Sequence, residues 1–157
     1  MPDLAAIEEF LYKEASFLDR PNLDSWIELY TEDAYYWIPA TDDQTDPINH
    51  VSHVYDDRVM MEIRRRNFVH PRAASKDSQT RCSHIIGNVR IKEQSPEGGL
   101  IIESIQHVVV WYLDEQRIYA FTAQHELRPA NGSFKIKSKR VNLMNPDAAQ
   151  KSLVIYL

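Results

Sequence analysis

Apolar residues recur at three- and four-residue steps along the first part of the chain. Leu4, Ile7, Leu11, Ala15 and Leu18 fall on one stripe, as they would on a helix with one buried side. Asp3 stands where an N-cap belongs, and Pro21 suits the start of a second, short helix. That helix is expected from Asn22 to Tyr30, where Leu23, Trp26, Ile27 and Tyr30 keep helical spacing. Ala34-Tyr35-Tyr36-Trp37-Ile38-Pro39 is aromatic and ended by proline, the composition of a short strand. After a loop from Ala40 to Asn49, a third helix is expected over Tyr55 to Phe68. Asp56 and Asp57 would sit at its positive pole and Arg64, Arg65 and Arg66 at its negative one.

Beyond a polar stretch that ends at Thr80, the period changes from helical to alternating. Ser83 to Glu93, Leu100 to Leu113, Gln116 to Arg128 and Phe134 to Met144 are four strand-like runs. Turn-forming pieces separate them at Ser95-Pro96-Glu97-Gly98-Gly99, Asp114-Glu115 and Pro129-Ala130-Asn131-Gly132. A run of about 12 residues extends on the order of 40 Å, so these strands must twist and curve. Helices first and a meander afterwards predict an α+β fold. N-terminal helices would pack on the concave face of a long, curved, mostly antiparallel sheet.

The 157 residues fit a single domain over 1–157. With 43% hydrophobic and 26% charged residues, neither disorder nor a fibrous fold is indicated. A net charge of −5 argues against nucleic acid, which demands clustered Lys and Arg. Met1-Pro2-Asp3-Leu4 carries no basic region followed by an apolar run, and no stretch approaches the roughly 18 apolar residues of a membrane span. The single cysteine, Cys82, cannot form an internal disulfide. A cytoplasmic protein is expected.

Four segments resemble one family in order and spacing. The first is Phe10-Leu11-Tyr12-Lys13-Glu14-Ala15 with Leu18-Asp19. The second runs Trp26-Ile27-Glu28-Leu29-Tyr30-Thr31-Glu32-Asp33-Ala34-Tyr35-Tyr36-Trp37-Ile38-Pro39. The third is Tyr55-Asp56-Asp57-Arg58, then Thr80-Arg81-Cys82-Ser83-His84 and Asn88-Val89. The fourth is Phe134-Lys135-Ile136 with Arg140-Val141-Asn142-Leu143. Together they resemble the small (beta) subunit of bacterial aromatic-ring-hydroxylating dioxygenases, which has the cone-shaped fold of ketosteroid isomerase and nuclear transport factor 2. The resemblance implies a non-catalytic scaffold for a larger subunit that holds a Rieske iron–sulfur cluster and a mononuclear iron. It also implies a trimer of small chains inside a complex of three large and three small subunits, acting on an arene that this chain does not reveal.

The residue inventory bears on this separately. A Rieske centre needs two cysteines and two histidines, and Cys82 alone cannot supply them. A mononuclear iron site needs two histidines and a carboxylate on one face. His50 and His53 with Asp56 or Asp57 could imitate one, but they sit in a loop or at a helix entry, so a surface or interface loop is the expectation. No catalytic, cofactor-binding or metal residue is expected in this chain.

The rival is a stand-alone cone-fold isomerase, dehydratase or hydrolase with a pocket His, Asp or Tyr whose pKa is tuned by burial. His125 shares the apolar side of its strand with Tyr119, Phe121, Ala123 and Leu127 and should point inward. Whether His107 joins it depends on the hairpin register around Asp114-Glu115. A small-ligand carrier is the third class. Lys135, Lys137 and Lys139 alternate beside Arg140 and are expected on a solvated outer face or against an acidic partner. Tyr30, Tyr35, Tyr36 and Trp37 are expected in the core or at subunit contacts. Tyr35, Tyr36, Trp37, Trp111 and Tyr112 are expected to exceed what one small cone can enclose.

Overall fold

Helix α1 (Leu4–Asp19) starts where the pattern places it, with the Asp3 carboxylate accepting from the Ala5 N–H at 3.1 Å. In the computed structural model, residues 2–41, 43–68, 80–145 and 156–157 are described. Most of the polar stretch before Thr80 lies outside them. Ile7, Phe10, Leu11, Ala15 and Leu18 of α1 turn inward, and so does Glu14, a carboxylate in an otherwise apolar stripe.

Helix α2 (Leu23–Ile27) is capped by the Asn22 side chain, which accepts from the Ser25 N–H. It is shorter than its spacing suggests. Tyr30, expected as its last residue, opens strand β1 (Tyr30–Pro39) instead. Pairing explains the difference. The Leu29 carbonyl accepts from the Ile136 N–H at 2.8 Å, and Tyr30 lies opposite Ile136, so sheet bonds replace the helical ones.

The expected helix from Tyr55 is divided between strand β2 (Ser52–Asp57) and helix α3 (Arg58–Phe68). Asp56 and Asp57 therefore belong to a strand, as does His53. The Asp57 carboxylate still accepts from the Met60 N–H at 2.9 Å and caps the helix from outside it. Tyr55 lies against the rings of Tyr35 and Trp37 across the β1–β2 pair. Arg58 reaches back to the main-chain oxygens of Tyr30 and Thr31 and anchors α3 to β1.

Strands β3 (Arg81–Gln94), β4 (Leu100–Tyr112), β5 (Glu115–Ala130) and β6 (Ser133–Leu143) follow the four alternating runs to within two residues. One sheet results, in the order β2-β1-β6-β5-β4-β3. Every neighbouring pair is antiparallel except β1 and β6. The inner faces of the strands and the stripe of α1 share one buried cluster that includes Leu11, Leu18, Trp26, Ile102, Phe121 and Val141. This is the expected α+β architecture.

Two irregularities decide which side chains enter the cone. In β3 the pairing shifts after Gly87, where Asn88 has φ 52°. Asparagine tolerates that left-handed conformation better than most residues. In β6 the pairing steps from Ser138–Glu126 to Ile136–Leu127 and leaves Lys137 as an extra residue. A bulge of this kind breaks the two-residue alternation. Ile136 and Lys139 consequently both point inward, although an odd number of steps separates them. Lys135, Lys137 and Lys139 are therefore not one outer face. Lys139 is buried, while Lys137 donates to the Asp33 main-chain oxygen at 2.6 Å.

Candidate functional site

The sequence places one acid in the inward stripe of α1 and one base in the inward run of each of β5 and β6. The fold brings them together. Glu14 Oε2 accepts from Trp26 Nε1 at 3.1 Å, from the Tyr30 hydroxyl at 2.9 Å and from Lys139 Nζ at 3.1 Å. Glu14 Oε1 lies 2.8 Å from His125 Nε2. Glu14, His125 and Lys139 are all shut off from solvent.

Burial alone would raise the Glu14 pKa. Lys139 and His125, with hydrogen bonds from His125 and Tyr30, outweigh it and hold the carboxyl far below its ordinary range. Burial draws the His125 pKa down against the pull of Glu14, so the imidazole is neutral. Its proton then sits on Nε2 and points at Glu14, which leaves Nδ1 as a bare lone pair. Nδ1 has no hydrogen-bond partner. A lone pair is the cheaper ring group to bury alone, since no N–H goes unused. Burial also lowers the Lys139 pKa against Glu14. Glu14 is the anion in that pair, because a carboxyl taking four donors is an acceptor only when ionised.

Burial raises the Tyr30 and Tyr36 phenols well above their ordinary values, so both remain hydroxyls. The Tyr36 hydroxyl accepts from the Leu157 N–H at 2.8 Å, and Lys139 donates to the Leu157 main-chain oxygen. Beside them the Tyr156 hydroxyl donates to Asp56 Oδ2 at 2.7 Å, and Arg64 closes on the same carboxylate.

At the far end of α1, Asp19 Oδ1 meets His84 Nδ1 at 2.5 Å. Cys82 lies on the same side of β3, and burial, helped by Asp19, pushes its thiol up to about 12. A thiol that stays protonated is neither a nucleophile nor a ready metal ligand at neutral pH.

His125 points inward with Tyr119, Phe121, Ala123 and Leu127, as its strand position implies. His107 does not join it. His107 pairs with Ala120 while His125 pairs with Ile102, which puts the two histidines on opposite faces. Glu14, the carboxylate that orients His125, escaped the sequence reading. Its signal was present: an acid between Leu11 and Leu18 in a stripe otherwise apolar.

The set His50, His53, Asp56 and Asp57 is not assembled. His50 is exposed in the loop, Asp56 faces Arg64 and Tyr156, and Asp57 caps α3. Among the described residues, no three His, Cys, Asp or Glu side chains stand as metal ligands would. Of the aromatic set, Tyr36 and Trp37 are buried within this chain, Tyr35 and Tyr112 are half-buried, and Trp111 is exposed. The Arg140 guanidinium lies over Trp37, 4.4 Å from its ring centre, on the outer side of the sheet.

A curved sheet enclosing helices and buried polar side chains defines the cone-shaped α+β class. Within it, the model of the ring-hydroxylating beta subunit matches residues 13–147, and the chain belongs to that family. It is 33% identical to the small subunit of anthranilate 1,2-dioxygenase from Acinetobacter baylyi, over 89% of this chain and 88% of that one. It is 38% identical to the beta subunit of toluate 1,2-dioxygenase from Pseudomonas putida, a match spanning 57% of this chain and 59% of the relative. The crystal structure of the beta subunit of benzoate 1,2-dioxygenase from Burkholderia mallei superimposes with a TM-score of 0.81 at 26% identity, covering 100% of this chain and 97% of that one. No helix among the described residues is long and apolar enough to cross a membrane.

Proposed function

We propose that this chain, as one domain over residues 1–157, is the non-catalytic structural subunit of a cytoplasmic aromatic-ring-hydroxylating dioxygenase. The Rieske cluster and the mononuclear iron reside in a larger partner subunit, in a complex of three large and three small chains. One observation carries this reading. Among the described residues, the acid inside the cone is already engaged: Glu14 takes donors from Trp26, Tyr30, His125 and Lys139, although His125 keeps an open Nδ1. The lone cysteine, with a thiol held protonated, cannot supply a Rieske site.

The outer face supports a scaffold role. Ile85 (72% exposed), Ile105, Trp111 and Ile118 (66% exposed) point away from the core. Apolar patches of this kind are commonly covered by another chain. Relatives named for anthranilate, toluate and benzoate point to a carboxylated arene as the substrate class to test first on the assembled enzyme.

The rival reading, a stand-alone isomerase, dehydratase or hydrolase, draws on the His125–Glu14 pair, since a carboxylate-oriented imidazole is a common general base. Co-expression with a large subunit of this dioxygenase family separates the two. Light scattering should give a hexamer, with all iron and acid-labile sulfide remaining on the large chain after separation. A small chain that stays monomeric at tens of micromolar, retains no larger partner and turns over a substrate alone would establish the rival.

A further inference from the structure

Tyr156 and Leu157 lie inside the cone, and what surrounds them is more specific than core packing requires. The Tyr156 ring stacks on Trp26 with centroids 4.4 Å apart and planes 21° from parallel. It meets Tyr36 edge-on at 4.7 Å. Its hydroxyl donates to Asp56 at 2.7 Å, a carboxylate that Arg64 holds in place. The Leu157 N–H donates to the Tyr36 hydroxyl at 2.8 Å, and the Leu157 main-chain oxygen accepts from Lys139. Leu157 is fully buried and Tyr156 nearly so.

Each of these partners comes from a different element: Trp26 from α2, Tyr36 from β1, Asp56 from β2, Arg64 from α3 and Lys139 from β6. To hold a side chain in a core, apolar walls suffice. Here an aromatic slot is joined to an acceptor for a phenol, an oxygen for an amide N–H and a cation for an acyl oxygen. Apolar walls with a few convergent polar groups are the make-up of a small-molecule site. The two buried carboxylates each have a cation, Glu14 the buried Lys139 and Asp56 the half-exposed Arg64. An uncharged phenol with a carbonyl oxygen, or a phenol whose carboxylate faces Lys139, would satisfy the same groups.

We propose that this part of the cone is a binding site for a small phenol bearing an acyl or carboxylate oxygen, and that the chain fills it in cis with Tyr156 and Leu157. The ligand ring would lie between Trp26 and Tyr36, its hydroxyl on Asp56 and its acyl oxygen toward Lys139. While the dipeptide is seated the site is closed to free ligand. This inference rests on the geometry of the cone and does not depend on the subunit role proposed above.

The test replaces the occupant. Tyr156→Ala in the full chain removes the ring and leaves a cavity with a polar end, and p-cresol, the free counterpart of the tyrosine side chain, is the probe. Y156A should unfold at a lower temperature than the parent chain, and p-cresol at ten times its Kd should raise its midpoint by about 3 °C. The parent chain should not respond. Toluene, with the same ring and no hydroxyl, should bind Y156A about ten-fold more weakly, because Asp56 then lacks the phenol donor and keeps only Arg64. The proposal is overturned if p-cresol leaves Y156A unmoved, binds the parent equally, or is matched by toluene. Should Y156A not accumulate folded, its refolding yield from urea is measured with and without p-cresol; a rise supports the proposal and no rise overturns it. Tyr156→Phe, which keeps the ring in place, should not bind p-cresol, and binding there would overturn the proposal as well.

Discussion

On β4, Ser104 and Gln106 point into the cone while Ile105 and Trp111 point away from it. The same inversion runs through the neighbouring strands. Inside lie His125 and Lys139; outside lie Ile85 and Ile118. The two faces differ in how their groups are satisfied. Inside, Gln106 donates to Ser104 at 3.2 Å, and Glu14 gathers four donors. Outside, the isoleucines of β3, β4 and β5 stand in solvent. Inside, the Glu14 carboxylate is engaged by four donors while His125 Nδ1 stays open, and an apolar exterior left open is suited to another chain. The alternation that separates the faces has a period of two, so a one-residue slip would exchange them.

The largest effect should come from breaking the inner face. Glu14→Ala leaves the Lys139 ammonium buried without its counter-charge and strips a partner from Trp26, Tyr30 and His125. Losing one member of a buried ion pair costs about 3–5 kcal/mol. Urea unfolding of the parent and the variant measures it. A loss below about 1 kcal/mol would mean that the interior charges are not mutually dependent, and the contrast between the faces would fail.

A smaller effect should appear with pH, in two stages. The folded pKa of His125 lies below its ordinary 6.5, so the unfolded chain binds this proton first as pH falls. Its contribution is complete above pH 6.5 and is lost as the pH drops from there through the folded value. The folded pKa of Glu14 is likewise depressed from 4.5, so its contribution is present above pH 4.5 and fades below. Stability measured by urea titration should therefore begin to decline near pH 6.5 and steepen below 4.5. His125→Gln, which keeps a donor for Glu14, should flatten the first stage and leave the second. An unchanged first stage would remove His125 from the account.

The smallest effect on the chain's own stability should come from the outer face. Ile118→Lys should change the unfolding free energy of the isolated chain by no more than about 0.5 kcal/mol. Light scattering should nonetheless show it failing to assemble. A variant that unfolds easily and still assembles would reverse the roles of the two faces.

Much of this architecture was legible in the sequence, and its gaps have physical causes. Helix α1 and strands β4 and β5 announce themselves because their periods run unbroken for ten residues or more, while β3 and β6 are marked by strand-type composition between turn-forming pieces. Strand β2 is six residues long, and its two final aspartates imitate the start of a helix. One of them, Asp57, does cap α3, so the local chemistry was read correctly and the backbone was not. Lys139 was assigned to the outer face because alternation was counted straight through the β6 bulge, which only the partner strand reveals. The inward position of His125 followed from its own strand, whereas that of His107 needed the hairpin register. The seating of Tyr156 and Leu157 against Tyr36, Asp56 and Lys139 joins positions far apart in the chain. No local pattern carries such pairings. Glu14 could have been found, since an acid in an apolar stripe requires a buried partner.

The central claim is that chemistry lies outside this chain, and His125 is the side chain that would refute it. The decisive measurement is turnover per iron of the assembled complex carrying His125→Gln, with assembly and iron content checked on the same sample. The account predicts turnover per iron equal to that of the parent complex. A fall of ten-fold or more, with the complex assembled and its iron retained, would contradict it and place catalysis inside the cone.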